Sequence, residues 1–253
     1  MLRHRVIPVV LLDGYSVVKT IRFDVRRNLG NPIAVARIYN SRNVDELVLL
    51  DIDASKEGRH IDTLTIRDIA SECFMPLSVG GGITSCEEIE SVLKSGADKV
   101  VINTAALKNP RIIAEGAAHF GSQCIVASVD VRKEGTEYRV WSHAGLDVHH
   151  EAADWCRRLE ASGGGEIFLN SVDLDGKMSG YDNELIRRVT EAVSIPVIAC
   201  GGASGPMDCV QAIRCGASAV AAASIFHFTD FTPEDCREKM REEGIPARER
   251  SAL

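Results

Sequence analysis

Short apolar runs alternate with longer amphipathic stretches along this chain. Arg5–Leu12 (RVIPVVLL) is almost continuously apolar, the pattern of a strand buried on both faces. The same reading predicts strands at Glu46–Asp51, Pro76–Val79, Lys99–Ile102, Cys124–Asp130, Glu166–Asn170, Pro196–Cys200 and Ala219–Ala223. Helical periodicity falls between most of them, at about Ile33–Asn40, near Thr63–Ala70, and at Glu151–Glu160 and Asn183–Ala192. One helix carries its own boundaries. Ser85 and Glu88 form a capping box, Ile89, Val92 and Leu93 an apolar stripe, and Gly96 a stop. Gly205-Pro206 opens another, with proline at its first position. After the Asp13-Gly14 turn, Val17-Val18-Lys19 reads as a short return strand and residues 20–32 as an extended loop. Lys133–Trp141 reads as a small hairpin after the fifth strand.

The two halves of the chain echo each other. Pro76 recurs as Pro196, Gly81-Gly82 as Gly201-Gly202, Gly96-Ala97 as Gly216-Ala217, and Ile52-Asp53 as Val172-Asp173. Each pair is separated by 120 positions, so the chain is built from two similar halves. Eight β-α units in 253 residues have the size and rhythm of a single (β/α)8 TIM barrel made of two half-barrels, expected to span residues 1–253 as one domain. A doubly wound open sheet is the runner-up, but a half-chain repeat suits closure better.

Composition narrows the function classes. Hydrophobic content is 45% and net charge is -7, which argues against a general nucleic-acid or anionic-membrane binder. No stretch has the length of a membrane span, and Met1–Arg5 runs straight into the first strand without a signal-peptide pattern, so a cytoplasmic location is expected. The eight cysteines include no C-x-x-C pair, and several lie inside apolar runs. They read as free thiols in a reducing compartment. No metal-ligand spacing is present, and neither a metal nor a cofactor is expected.

In a barrel of this kind the C-terminal ends of the strands carry chemistry. A glycine-rich turn between a buried strand and a helix can expose backbone N–H groups to an anion, although glycine dihedrals in a tight turn explain it equally well taken alone. Two equivalent turns, Gly81-Gly82 and Gly201-Gly202-Ala203, suggest a long ligand with a phosphate at each end. Asn103-Thr104 and Ala223-Ser224 stand at equivalent ends of strands four and eight, where they can add donors. Asp130 closes a seven-residue strand. A carboxylate there is costly unless it is hydrogen-bonded or working, which marks it for acid/base or anchoring duty over a plain loop cap. At the opposite end, Arg5, Glu46, Lys99 and Glu166 open strands one, two, four and six. They can form an ion-paired plug, which spacing alone favours, or a gate for a small neutral molecule.

Taken together, these motifs resemble the cyclase subunit of imidazole glycerol phosphate synthase over nearly the whole chain. The resemblance is carried by Val17-Val18-Lys19, Asp45–Val48 (DELV), Leu50-Asp51-Ile52, Val79–Ile83 (VGGGI), Gly96–Val100 (GADKV), Ile102–Ala106 (INTAA), Phe120–Gln123 (FGSQ), Ser179–Asp182 (SGYD) and Ala222–Phe228 (AASIFHF). It implies a (β/α)8 barrel with a biphosphate substrate across its top and a separate glutaminase subunit docked on its bottom, whose ammonia rises through the barrel. It makes Arg5, Glu46, Lys99 and Glu166 the ammonia gate and puts Asp98 and Gln123 near the docking face. It assigns catalysis to Asp130, and ligand contacts to Lys19, Asp175 and Gly176 as well as to both glycine turns with their Asn103-Thr104 and Ala223-Ser224 partners.

Several positions depart from that pattern. The resemblance calls for a catalytic aspartate on the first strand, yet ungapped alignment puts Leu11 there, and alignment on the Asp-Gly turn puts Val10. Asp13 shares side-chain parity with Leu11 and is the candidate to replace it from farther out. Val101, Asn170 and Cys200 stand where hydroxyl residues are usual, and Asp173–Lys177 reads DLDGK in place of DRDGT. Losing one of an acid/base pair costs roughly 10²–10⁴ in rate. The V-x-L-L type first strand is similar to cyclase-like proteins associated with glycosyl amidation in bacterial surface-polysaccharide clusters. That resemblance implies ammonia conduction for a sugar amidotransferase, a third protein alongside the glutaminase, and a phosphorylated or nucleotide-linked ligand. A genuine cyclase of histidine biosynthesis is the alternative, and a non-catalytic scaffold that activates a glutaminase is a third reading. The basic stretch Arg22–Arg27 suits either a cover for an anionic ligand or a solvated loop.

Overall fold

The computed structural model describes residues 3–21 and 23–249. The Met1-Leu2 start of the expected leaderless N-terminus and Arg22 of the basic stretch lie outside the described residues. Eight parallel strands close on themselves: β1 (Arg5–Asp13), β2 (Leu47–Asp51), β3 (Leu77–Gly80), β4 (Lys99–Ile102), β5 (Ile125–Glu134), β6 (Glu166–Ser171), β7 (Val197–Cys200) and β8 (Ala219–Ala222). Closure is made by β8 against β1, with Arg5 opposite Ala219 and Ile7 opposite Ala221. The eight expected strands are therefore present to within about a residue at most ends, and the open-sheet alternative is excluded.

Strand alternation divides the apolar residues into two cores. Ile7, Val9, Val48, Val101, Val126, Phe168, Ile198, Ala219 and Ala221 fill the barrel interior. Val6, Val10, Leu12, Leu47, Leu49, Leu77, Val79 and Val100 face outward into the larger layer beneath the helices. The helices bury one stripe each, as in Asn183–Thr190, where Leu185, Ile186 and Val189 turn inward. The half-chain repeat becomes spatial: Gly81-Gly82 and Gly201-Gly202 follow β3 and β7, on opposite sides of the ring, and the short helices Thr104–Lys108 and Ser224–Phe228 follow β4 and β8.

Two local expectations need correction. The segment expected to loop over residues 20–32 is an antiparallel ribbon instead, with Ser16–Ile21 paired to Val25–Gly30 and helix Pro32–Ser41 beginning soon after. Its second strand is too polar to read as buried. It forms as an edge strand, and Arg26 is held by ion pairs to Asp13 at 2.7 Å and to Asp53. The capping box at Ser85 is also incomplete. Ser85 Oγ accepts from Glu88 N at 3.3 Å, but the Glu88 carboxylate turns to Thr84 N and Oγ1 at 2.6 and 3.0 Å. The hairpin after β5 is present, with Glu137–Val140 paired to the end of that strand. None of the eight cysteines is in a disulfide, and three of them, Cys156, Cys209 and Cys236, are buried.

The C-terminal helix Pro233–Glu242 is fastened under the barrel by a buried arginine. Arg237 is 1% exposed and donates to Asp45 Oδ1 and to the Asn43 carbonyl, each at 3.0 Å. Asp45 Oδ2 in turn accepts from Val6 N at 2.9 Å, so the helix is tied to the foot of β1. Arg237→Ala strands the Asp45 carboxylate without its counter-charge and is expected to cost about 3–5 kcal/mol. Urea unfolding at neutral pH checks this, and a loss under about 1 kcal/mol would show that water replaces the guanidinium.

Candidate active site at the top of the barrel

The barrel floor is a closed ring of four charges. Arg5 reaches Glu46 at 2.5 Å and Glu166 at 2.6 Å, and Lys99 reaches the same two carboxylates at 3.1 and 2.9 Å. Ser78 Oγ adds a 2.6 Å bond to Glu46. Burial alone would raise the Glu166 carboxyl, but the charges of Arg5 and Lys99 outweigh it and hold that group below its ordinary range. Arg5 is likewise held protonated: burial opposes its charge, and Glu166 and Glu46 overcome that opposition. The ring sits at the N-terminal ends of the strands: Arg5, Lys99 and Glu166 open β1, β4 and β6, and Glu46 stands immediately before β2. Asp98 and Gln123 are exposed near the same end, just before β4 and β5, with Asp98 Oδ2 accepting from Leu77 N at 2.8 Å.

An open cavity of about 1250 Å³, solvent at its mouth included, occupies the opposite end. Asp130 and the two glycine turns line it together with Asn103-Thr104, Ala203 and Ala223-Ser224, as do Lys19, Asp175 and Gly176. Glycine is required in both turns. A side chain at Gly82 (φ +68°) would lie 1.9 Å from the Arg59 carbonyl, and one at Gly202 (φ +101°) 2.2 Å from the Gly180 carbonyl.

Asp130 faces inward at the end of β5 and is 7% exposed. Two carboxamides hold it, Asn103 Nδ2 at 2.7 Å and Asn170 Nδ2 at 3.1 Å. Burial pushes its carboxyl up to about 6; the Asn170 and Asn103 bonds pull it down, and the charge of Asp175 adds to the rise. Across the cavity the ribbon delivers Lys19, 3% exposed, whose ammonium lies 3.2 and 3.3 Å from the Asp175 carboxylate oxygens and donates to the Thr20 carbonyl at 2.8 Å. The site thus pairs a carboxyl able to exchange a proton near neutral pH with a fixed cation, between two sets of backbone donors.

Leu11 lines the same cavity beside Leu50, its register partner on β2. Asp13 does not supply the missing carboxylate: its side chain is 40% exposed and turned to Arg26. Asp51, at the end of β2, is also committed, capping Asp53 N and Ala54 N at 3.3 and 3.2 Å and pairing with Arg59. Asn170 stood out from sequence only as a departure from the family pattern; its role as a clamp depends on being beside β5, which the strand order decides. Phe23 and His143 were not singled out as site residues, and they meet from separate excursions at the cavity mouth with ring centroids 5.6 Å apart and Trp141 alongside. Burial first, and then the charge of Lys56, keeps the His143 imidazole below its usual range.

This arrangement places the chain among the (β/α)8 proteins whose working end is the C-terminal face of the strands. Within that class it belongs to the histidine biosynthesis protein family, which matches residues 5–232. Its relatives include a protein of Campylobacter jejuni provisionally named imidazole glycerol phosphate synthase subunit hisF2, 45% identical over 248 residues, covering 98% of this chain and 99% of the relative. The imidazole glycerol phosphate synthase subunit HisF of Dehalococcoides mccartyi is 43% identical over 250 residues (98% and 99%), and that of Thermococcus onnurineus 43% over 249 residues (98% and 99%).

The raised Asp130 carboxyl has a sign that can be checked. Between pH ~4 and ~6 the folded chain holds this proton more tightly than the unfolded chain. Its stabilising contribution is therefore complete below pH ~4 and is lost as pH rises through ~6. Asp130→Asn is expected to flatten this dependence and to stabilise the protein at pH 7 by up to about 3 kcal/mol. Urea midpoints of both proteins at pH 4 and pH 7 measure it. A wild type that gains stability relative to the variant on going to pH 7 would contradict the assignment.

Proposed function

We propose that this chain is the ammonia-receiving barrel subunit of a glutamine-dependent complex. A glutaminase subunit docks on the N-terminal face, beside Asp98 and Gln123. Ammonia enters through the ring of Arg5, Glu46, Lys99 and Glu166 and travels up the apolar interior to the cavity around Asp130. There the nitrogen lone pair adds to an electrophilic carbonyl carbon of a phosphorylated or nucleotide-linked acceptor held by the two glycine turns and Lys19, the C=O π pair moving onto the carbonyl oxygen. The attacking nitrogen loses its proton to the Asp130 carboxylate, a transfer suited to a carboxyl near 6. The acceptor differs from that of the histidine pathway, and the complex serves amidation of a surface-polysaccharide sugar together with a third, amidotransferase protein.

The observation that carries this reading is an intact charged floor beneath an altered top. Leu11, packed beside Leu50, stands where the resemblance to the cyclase places a catalytic aspartate. A barrel still doing the ring closure has reason to keep both carboxylates, whereas one that has changed its acceptor has reason to keep only the ammonia route. A second reading, a genuine cyclase of histidine biosynthesis, is favoured by Asp130, Lys19 and both glycine turns lining one cavity, and by relatives named as synthase subunits.

An ammonium-driven assay with the phosphoribulosyl intermediate of histidine biosynthesis separates the two. Wild type is expected to run at least about 10²-fold below a normal cyclase, with Leu11→Asp recovering part of the deficit. Turnover by wild type at the level of a normal cyclase would remove the changed-acceptor reading.

A further inference from the structure

The mouth of the cavity carries aromatic and basic side chains that neither the ammonia route, the glycine turns nor Asp130 uses. Side chains alternate along β5. Asp130 faces inward, Val131 joins the layer beneath the helices, and Arg132 returns to the inward side, about 7 Å further toward the mouth. There its guanidinium lies over the Trp141 ring, 4.3 Å from the centroid. Among the described residues nothing hydrogen-bonds or ion-pairs with its nitrogens; Nε is enclosed, and the two terminal nitrogens stay open. Carboxylates around the cavity are committed elsewhere, Asp13 and Asp53 to Arg26, Asp51 to Arg59 and Asp175 to Lys19. A solvated surface arginine wanders. This one is held flat on an indole, with its N–H edge preset for an anion.

The neighbours add to that setting. Trp141 meets Phe23 edge-on at 5.3 Å and His143 at 5.8 Å, and both of those rings line the cavity. Phe23 sits at the turn of the ribbon in left-handed backbone (φ +64°), a conformation that is strained for a bulky residue and that clusters at functional sites. Lys56, exposed on the short helix after β2, is near enough for its charge to act on His143 and has no ion pair among the described residues. One rim thus sets flat rings beside a fixed guanidinium and an ammonium, a chemistry unlike the backbone N–H groups of the glycine turns. A phosphorylated sugar alone has no use for the rings. A nucleoside diphosphate has: its base stacks on aromatic faces, and its phosphates accept from the guanidinium fork and the ammonium. We propose that Arg132, Trp141, Phe23, His143 and Lys56 form a nucleoside-diphosphate subsite at the cavity mouth, which makes the acceptor nucleotide-linked rather than simply phosphorylated. This deepens the changed-acceptor reading and rests on it for its biological meaning, although the binding is tested alone.

The test uses the full chain, without partner, and uridine diphosphate, adenosine diphosphate and inorganic pyrophosphate as probes. Calorimetry gives the affinities, and tryptophan emission reports the place. The chain has two tryptophans, and Trp155 is 2% exposed with His150 stacked on it, so quenching at the mouth belongs to Trp141 and is assigned by its loss in Trp141→Phe. At least one nucleotide is expected to quench Trp141 and to bind about tenfold more tightly than pyrophosphate, the share of the base. Arg132→Ala is expected to weaken nucleotide binding about tenfold or more, and Arg132→Lys to recover only part of the loss, because it keeps the charge without the flat fork. Pyrophosphate binding as tightly as the nucleotides, nucleotide affinity unchanged in Arg132→Ala, or no quenching by either nucleotide would each overturn the subsite. Nucleotide binding by a chain that also turns over the phosphoribulosyl intermediate like a normal cyclase would keep the subsite and sink the changed-acceptor reading. No nucleotide binding by a chain inactive on that intermediate would do the reverse, so the two failures are separable.

Discussion

Closure of an eight-stranded barrel leaves room inside for only about four side chains per layer, and every other feature of this protein follows from how those few inward positions are spent. The first layer takes four alternating charges, which are tolerable in a low-dielectric interior only because each carboxylate meets two cations and each cation two carboxylates. The middle layers take Ile7, Val9, Val48, Phe168 and the alanines of β8, large and small side chains sharing one packed interior. The last layer is where Leu11, Asn103, Asp130, Asn170 and Cys200 share one rim, so a substitution on any one strand is felt by its neighbours on the others.

Much of this was legible in the chain itself. The eight apolar runs, the 120-residue echo and the charged residues at strand starts required only periodicity and spacing, because inward and outward positions are fixed by strand parity. The ring of Arg5, Glu46, Lys99 and Glu166 was readable for the same reason, although spacing alone favoured a plug over a gate. The ribbon of residues 16–30 was only half readable. Val17 and Val18 announce a strand, but Val25–Gly30 carries two arginines and an asparagine and owes its form to pairing and to Asp13 and Asp53, a tertiary effect that local pattern does not contain. Asn170 was visible as a departure from a family pattern, and its use as the second clamp on Asp130 emerged only when β6 was placed beside β5.

The electrostatic design separates the two ends. At the floor, charge is compensated in place, and Arg5 and Lys99 hold the Glu166 carboxyl below its ordinary range. At the top, Asp130 is surrounded by neutral carboxamides, so its proton is the exchangeable one. Lys19, which lines the same cavity, is spoken for by Asp175, and its charge reaches a ligand only as part of that pair. Leu11 removes a further carboxylate from this balance and leaves the strand-one wall apolar.

The ribbon that carries Lys19 has one more consequence. Its backbone pairs with the barrel along one edge, through Leu11–Asp13 against Ser16–Val18, the remaining ties are side-chain bonds from Lys19, Thr20 and Arg26, and much of its outer strand is open to solvent. Such a segment opens and recloses as a small cooperative unit well below the free energy of global unfolding. Each opening withdraws the ammonium from the cavity and breaks the Lys19–Asp175 pair. An anion bound at the top therefore holds the ribbon shut by mass action, and amide exchange along residues 16–30 becomes an internal gauge of whether the cavity is full.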